Sequence, residues 1–273
     1  MKLVIGKNGQ RRVPVVKKEI ERLPALGLLR AKDANGKLIA STTESQIMDF
    51  TGVADIEEYM LVLAYSGNTA ISGAVDMSDL ITVSGSYACS STFRGCTGLT
   101  SVDLSSLTTV SGTSACARMF YGCTGLKSVD LSSLTTLSGN QACQNMFYDC
   151  DALTSVDMSS LTTITGATAC QSMFQNCAGL TSVNMSGLTT INSRMALNTM
   201  FQDCTSLTTV SIGNTTAIDF GTQTNQFSSM FYSCTQNIDV YAPAANQTQI
   251  ESFSGYPNFG ATGNVIWHWN TAA

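Results

Sequence analysis

The sequence predicts an α/β solenoid: a stack of 27-residue coils, each giving a parallel β-strand and a short helix, behind a β/α attachment segment at the N-terminus. Three observations carry that expectation. Phe93, Phe120, Phe147, Phe174 and Phe201 lie 27 residues apart, and Phe231 follows after 30. Cys96, Cys123, Cys150, Cys177, Cys204 and Cys234 keep the same register. Within each copy the apolar residues change period, from the alternation of a strand to the wider spacing of a helix. One copy cannot bury both of its faces, so the copies must stack.

The unit 99–125 shows the elements in order. Val102 and Leu104 alternate with Ser101, Asp103 and Ser105, the pattern of a half-buried strand. Leu107 and Val110 bracket Thr108 and Thr109 before a turn at Gly112. Ala115, Cys116, Met119, Phe120 and Cys123 then read as the apolar stripe of a helix of about two to three turns. One period earlier, Val75, Asp76 and Met77 with Leu80 and Val83 repeat the strand half of the unit. Another period back, Met48, Asp49 and Phe50 with Val53 and Ile56 still fit, but Ser66 and Thr69 replace the Phe and Cys, as in a degenerate end cap. A separate helix opened by the capping box Asp55-x-x-Glu58 is the alternative. The division expected is therefore an N-terminal basic segment at 1–44, a solenoid at 45–236 and a C-terminal cap at 237–273.

The N-terminal segment does not follow the repeat. Leu3, Val4 and Ile5, the turn Asn8-Gly9 and the run 13–16 predict a β-hairpin. Residues 17–23 predict a short amphipathic helix ending near Pro24. Asn35-Gly36 marks a second hairpin, between Leu29-Arg30-Ala31 and Leu38-Ile39-Ala40. So small a region has little core of its own, so it is expected to dock on the first coil or on another protein. At the other end, 265–269 reads as a strand with Trp267 and Trp269 on one face.

Composition excludes several classes. With 44% apolar and only 12% charged residues the chain is too hydrophobic for disorder, and 22 Gly with 4 Pro is far from collagen. No apolar run approaches the roughly 18 residues of a membrane helix. The start, Met1 to Lys7, is too short an apolar stretch to read as a secretory signal. The single histidine, His268, removes most triads and most histidine metal sites. Charge is unevenly spread: residues 1–37 hold ten Lys/Arg and three acids, a net +7, and the remainder carries −12. The basic charges are interleaved with apolar residues, which favours a solvated face or docking surface over a nucleic-acid arm. Lys2, Lys7, Arg11, Arg12, Lys17 and Lys18 are its candidate attachment residues.

The segment Met119-Phe120-x-x-Cys123-x-x-Leu126-x-x-Val129-Asp130-Leu131-Ser132 resembles the BspA-type leucine-rich repeat. The likeness covers roughly residues 72–236, and the tail from Ile238 to Trp267 resembles, more weakly, that family's C-terminal cap. The resemblance implies a right-handed leucine-rich-repeat coil with a parallel sheet, used for adhesion or recognition by surface proteins of gut and oral bacteria. It implies no catalytic activity.

All ten cysteines lie in the repeats. The column Cys89, Cys116, Cys143 and Cys170 continues as Leu197 and Phe227, so the position calls for apolar volume rather than sulfur chemistry. On one helix, Cys89 and Cys96 would lie about 10.5 Å apart, beyond the ~7 Å reach of a disulfide. No Cys-x-x-Cys pair is present, so a zinc site is not expected either. Buried free thiols, folded in a reducing cytoplasm, are the expectation.

Stacking also builds surface columns at a spacing of about 4.8 Å. Asp49, Asp76, Asp103, Asp130 and Asp157, followed by Asn184 and Ser211, form one of them. Neighbouring carboxylates there repel by roughly 0.8 kcal/mol per pair in water. The column is either an acidic track for cations or a basic partner, or a solvated face eased by flanking serines. The paired threonines, such as Thr108-Thr109 and Thr135-Thr136, are either a glycan-binding ladder or ordinary strand residues. Trp267 and Trp269 either cover the last coil or offer an aromatic contact to a sugar or a neighbouring subunit.

No nucleophile–His–acid set, phosphate loop or metal cluster emerges, so neither an enzyme nor a cofactor is expected. The expected function is a recognition or structural module on a larger assembly, held through residues 1–44. The setting expected is a bacteriophage virion fibre, decoration or tail component that contacts other virion proteins or a host-surface glycan or protein. The alternative is a bacterial surface adhesin or protein-interaction protein of that type. Nucleic acid and a membrane span are not expected, and a homo-oligomer is compatible with the pattern.

Overall fold

The computed structural model describes residues 71–270, Gly67 and Thr69, and the backbone of three earlier strands. Those strands are β1 (Leu29–Lys32), β2 (Leu38–Ser41) and β3 (Asp55–Glu58). Each following coil then gives a longer strand and a two-residue one: β4 (Ser72–Asp76) and β5 (Thr82–Val83), then β6 (Gly98–Asp103) and β7 (Thr109–Val110). The series continues with β8 (Ser128–Asp130), β9 (Thr136–Leu137), β10 (Ser155–Asp157) and β11 (Thr163–Ile164). It ends with β12 (Ser182–Met185), β13 (Thr190–Ile191), β14 (Thr209–Ile212), β15 (Ile238–Pro243) and β16 (Val265–Asn270).

The longer strands stack in parallel as two sheets, β4-β6-β8 and β10-β12-β14-β15-β16, with β8 beside β10. The short strands form the adjoining face, in the order β13-β11-β9-β7-β5, continued by β3, β1 and β2. Partners are residues of successive coils: Val102 lies against Val129, and Val156 against Val183. The alternation read from sequence explains the faces, since the valines are buried while Asp103, Asp130 and Asp157 are exposed. The chain is therefore a parallel-strand solenoid with 27-residue spacing, as the repeat predicts.

The third part of each coil differs from the helix expected there. Residues 113–122 are a run of turns. Their hydrogen bonds alternate in direction. Cys116 N–H donates to the Ala142 carbonyl of the next coil at 2.8 Å, whereas Ala117 N–H donates back to Ser114 within its own coil at 3.1 Å. Arg118 again bonds forward to Gln144, and Met119 back to Cys116. Every fourth residue turns left-handed, at Ser114 (φ 51°), Arg118 (φ 56°) and Gly122 (φ 71°). Such a backbone costs a non-glycine residue of the order of 1–3 kcal/mol, and the bonds to the neighbouring coil hold it in place. Ala115, Met119 and Cys123 recur every four residues, not every 3.6, because they follow this turn ribbon. The only α-helix among the described residues is α1 (Gln247–Glu251), near the C-terminal end.

The core is a set of columns running along the solenoid. The rings of Phe93, Phe120, Phe147, Phe174, Phe201 and Phe231 stack with centroids 5.4–5.9 Å apart and planes within 10°. Met, Cys and Leu columns surround them, all buried.

At the N-terminal end β1 and β2 pair antiparallel across the Asn35-Gly36 signal. β3 pairs in parallel with β5, Asp55 against Thr82, so the 27-residue register reaches back to it. Asp55 to Glu58 is thus a strand and not the start of a helix. The hairpin expected at residues 3–16, the helix at 17–23, Asp49, and Lys2, Lys7, Arg11, Arg12, Lys17 and Lys18 lie outside the described residues.

Candidate interaction surface

The aspartate column is built at the C-terminal ends of the long strands. Asp76 lies against Asp103, Asp103 against Asp130, and Asp157 against Asn184. In each coil one carboxylate oxygen accepts the N–H of the serine two residues on: Ser78, Ser105, Ser132 and Ser159, at 2.9–3.0 Å. The side chain thus closes a local turn where the strand ends. Asn184 does the same for Ser186 at 3.1 Å without a charge. The turn therefore explains the side-chain oxygen but not the negative charge.

These carboxylates line a broad, open groove of about 780 Å³ together with Ser101, Ser128 and Ser155. Asp103, Asp130 and Asp157 form no ion pair with any described residue. The column continues through Asn184 and Ser211 to Tyr241 and His268. There the two rings stack 4.6 Å apart, and His268 Nε2 lies 2.8 Å from Asp239 Oδ1. One outward-facing column therefore has exposed carboxylates at one end and a half-buried polar aromatic pair at the other.

The other candidates also have structural partners. Thr108, Thr135, Thr162 and Thr189 each donate their hydroxyl to a carbonyl of the preceding coil, at 3.0–3.2 Å. Trp267 and Trp269 stack with centroids 5.4 Å apart and pack against the core beside Tyr256. Trp267 lies against Val240 and Trp269 against Ala242, the inward positions of β15, and Trp267 Nε1 donates to the Pro257 carbonyl at 3.0 Å. Both Trp pack on the last coil and remain partly exposed.

All ten cysteines are free and buried. The Phe-x-x-Cys column has a role beyond volume. Cys123, Cys150, Cys177, Cys204 and Cys234 donate their thiol hydrogen to the carbonyls of Phe93, Phe120, Phe147, Phe174 and Phe201 in the preceding coil, at 3.0–3.2 Å. Burial pushes the thiols of Cys123 and Cys234 up to about 12.

A further ladder on the turn ribbon was not singled out by sequence. Arg94 lies over Tyr121, which stacks on Tyr148 at 4.5 Å, and Gln144 donates to Gln171 and Gln171 to Asn198. The same 27-residue register holds their signal. Burial first, and then the nearby Asp151, raise the pKa of Asp149 beside this ladder, against the hydrogen bond of Asn176.

Among the described residues no group of three or more His, Cys, Asp and Glu side chains is placed to hold a metal ion. No described helix is long and apolar enough to cross a membrane. The family model for the BspA type leucine rich repeat region matches in six copies, over residues 89–219 and 170–258. No curated protein matches the chain.

Proposed function

The chain belongs to the BspA-type leucine-rich repeat family, and on that footing we propose that it is a non-enzymatic recognition module whose acidic groove receives a basic partner. Solenoids of this family are typically interaction scaffolds. The observation that carries the reading is the charge left over at Asp103, Asp130 and Asp157. Asn184 supplies the same turn bond without a charge, and none of the three is neutralised by a described residue. Stacked carboxylates on a rigid sheet repel one another, and a lysine- or arginine-bearing partner relieves that repulsion.

The triple variant Asp103→Asn, Asp130→Asn, Asp157→Asn tests this. It is expected to fold, since asparagine already fills the equivalent place in the next coil. Exposed charge pairs contribute about 0.2–1 kcal/mol each, so three together change affinity by about tenfold. Fluorescence anisotropy with a labelled oligolysine peptide at low salt should show that loss, and equal binding by both proteins would contradict the assignment.

We place the module on a particle assembled in a reducing cytoplasm, as a bacteriophage virion fibre, decoration or tail component held through residues 1–44. Ten free, buried thiols support this, because they fit a chain that folds before it meets an oxidising surface. A bacterial surface adhesin is the second reading, favoured by the family's general use. Mass spectrometry of purified particles and of cell envelopes separates the two: recovery in particles supports the first, and recovery in envelopes alone contradicts it.

A further inference from the structure

We infer that two copies of the chain pair through β16, antiparallel and about a two-fold axis at Trp267, so that their long-strand sheets run on as one. The inference goes beyond the acidic groove and does not depend on it. β16 is the last strand in the order β10-β12-β14-β15-β16, and no described strand lies on its other side. Its parallel pairing with β15 is unbroken from Val265 to Asn270. Ile238 N–H donates to the Asn264 carbonyl at 2.8 Å, which sets the phase of that ladder. In a parallel ladder a residue bonds to both neighbours of the one opposite it, so Ile266, His268 and Asn270 turn their backbone groups towards β15. The N–H and carbonyl groups of Val265, Trp267 and Trp269 therefore point along the open edge. Native sheets blunt such an edge with charge, proline, a bulge or a covering element. β16 reads Val-Ile-Trp-His-Trp-Asn, without an acid, a lysine, an arginine or a proline, and its register carries no bulge. Ile266 beside it is 45% exposed.

The register identifies a second copy as the occupant. In an antiparallel pair, residues whose backbone groups face the partner sit opposite one another and exchange both bonds. Setting Trp267 opposite Trp267 of the second copy also sets Val265 opposite Trp269 and Trp269 opposite Val265. Every outward backbone group of both strands is then bonded. A shift of two residues in either direction leaves one outward residue of each strand beyond the end of the other. The strand is thus complementary to itself, and no acid, lysine or arginine within it meets its like. On the solvent face Ile266 comes opposite His268, the ring that Asp239 holds. The tryptophan rings, stacked in pairs and partly exposed, meet across the axis on the other face. A two-fold contact closes with two copies and does not propagate. Nine strand spacings then separate the two β10 strands, about 43 Å, with both acidic columns on one face of the joined sheet. The dimer offers both grooves to a single partner surface.

Sedimentation velocity of the full-length chain in reducing buffer, up to high micromolar concentration, tests the inference together with amide hydrogen exchange of the 15N-labelled chain. Sedimentation is expected to show one species of twice the chain mass. A monomer throughout, or a mass that keeps growing with concentration, overturns the inference. In the dimer the amides of Val265, Trp267 and Trp269 are expected to exchange as slowly as those of Ile266 and His268. Exchange at least about tenfold faster at the three outward amides marks an open edge and overturns it, even if a dimer forms elsewhere. Slow exchange in a chain that sediments as a monomer means that something other than a second copy covers the strand, and overturns it too. The double variant Ile266→Lys, His268→Lys sets like charges directly opposite across the axis. It is expected to weaken dimerisation at least about tenfold with unchanged far-UV dichroism. A folded double variant that dimerises as the unaltered chain does overturns the inference, and if it does not fold, the exchange pattern of the unaltered chain decides.

Discussion

The solenoid is expected to unfold in one steep transition as the pH rises past about 9. Burial raises the thiols of Cys123 and Cys234 to about 12 and lifts those of Cys150, Cys170, Cys177 and Cys204 as well. A thiol is neutral when protonated, so a folded-state value above the unfolded one means that the native chain retains protons the unfolded chain releases. Their contribution is complete below the unfolded value near 9 and is lost as the pH climbs from there towards the folded values. Each such thiol tilts the balance by about 1.4 kcal/mol per pH unit, and six together by on the order of 8. A domain stability of about 5–15 kcal/mol is then exhausted within one to two pH units. Far-UV circular dichroism and thiolate absorbance, followed together under reducing conditions, check this. The two signals should change together; thiolates forming near pH 9 in a chain with native dichroism would contradict the burial. Cys170→Leu, which places in that column the residue it already holds at Leu197, is expected to reduce the slope by about one thiol's share.

Gly166→Ala is expected to lower the midpoint of thermal unfolding by about 6–12 °C. A Cβ at residue 166 would meet the Gly139 carbonyl oxygen at 1.9 Å and its carbon at 2.5 Å. The same closeness recurs at Gly139 over Gly112, and at Gly112 over Gly85. Both surfaces are backbone, so no side chain can swing aside and the coils must part. Overpacking of this kind costs up to about 3 kcal/mol or more, which for a chain of this size gives the stated shift. The next member of the column is a serine, Ser193. Gly112, Gly139 and Gly166 each donate N–H to the carbonyl 29 residues earlier at 3.3–3.4 Å, and Ser193 makes no such bond. Calorimetry showing Gly166→Ala within about 1 °C of the parent would mean the coils are not held this close.

What the sequence revealed and what it hid follow from the same physics. Periodicity displayed the stacking, because every coil places the same residue against its neighbours: Val102 on Val129, Phe120 on Phe147, Asp103 on Asp130. Alternation displayed the strand and its outward aspartate. The turn ribbon has the sequence pattern of a helix because a spacing of four is close to 3.6, and because serine, arginine and asparagine do not advertise a left-handed backbone as glycine does. In a single coil those conformations are costly, and only hydrogen bonds from a neighbouring coil, such as Cys116 to Ala142, make them stable. The thiol bonds to the phenylalanine carbonyls and the His268–Asp239 pair likewise join residues about thirty apart, beyond any local pattern. The aspartate column itself was legible, but its meaning needed Asn184, whose neutral side chain makes the same turn bond and so separates the charge from the fold.

The carboxylate groove on the long-strand face is the proposed place of partner binding. Amide chemical-shift mapping of the 15N-labelled full-length chain, titrated with an oligolysine peptide at low salt, tests it most directly. The largest shifts are expected at residues 101–105, 128–132 and 155–159, with the threonine face of β7, β9 and β11 unmoved. Shifts centred on that threonine face, or on the tryptophans of β16, with the groove unmoved would contradict it.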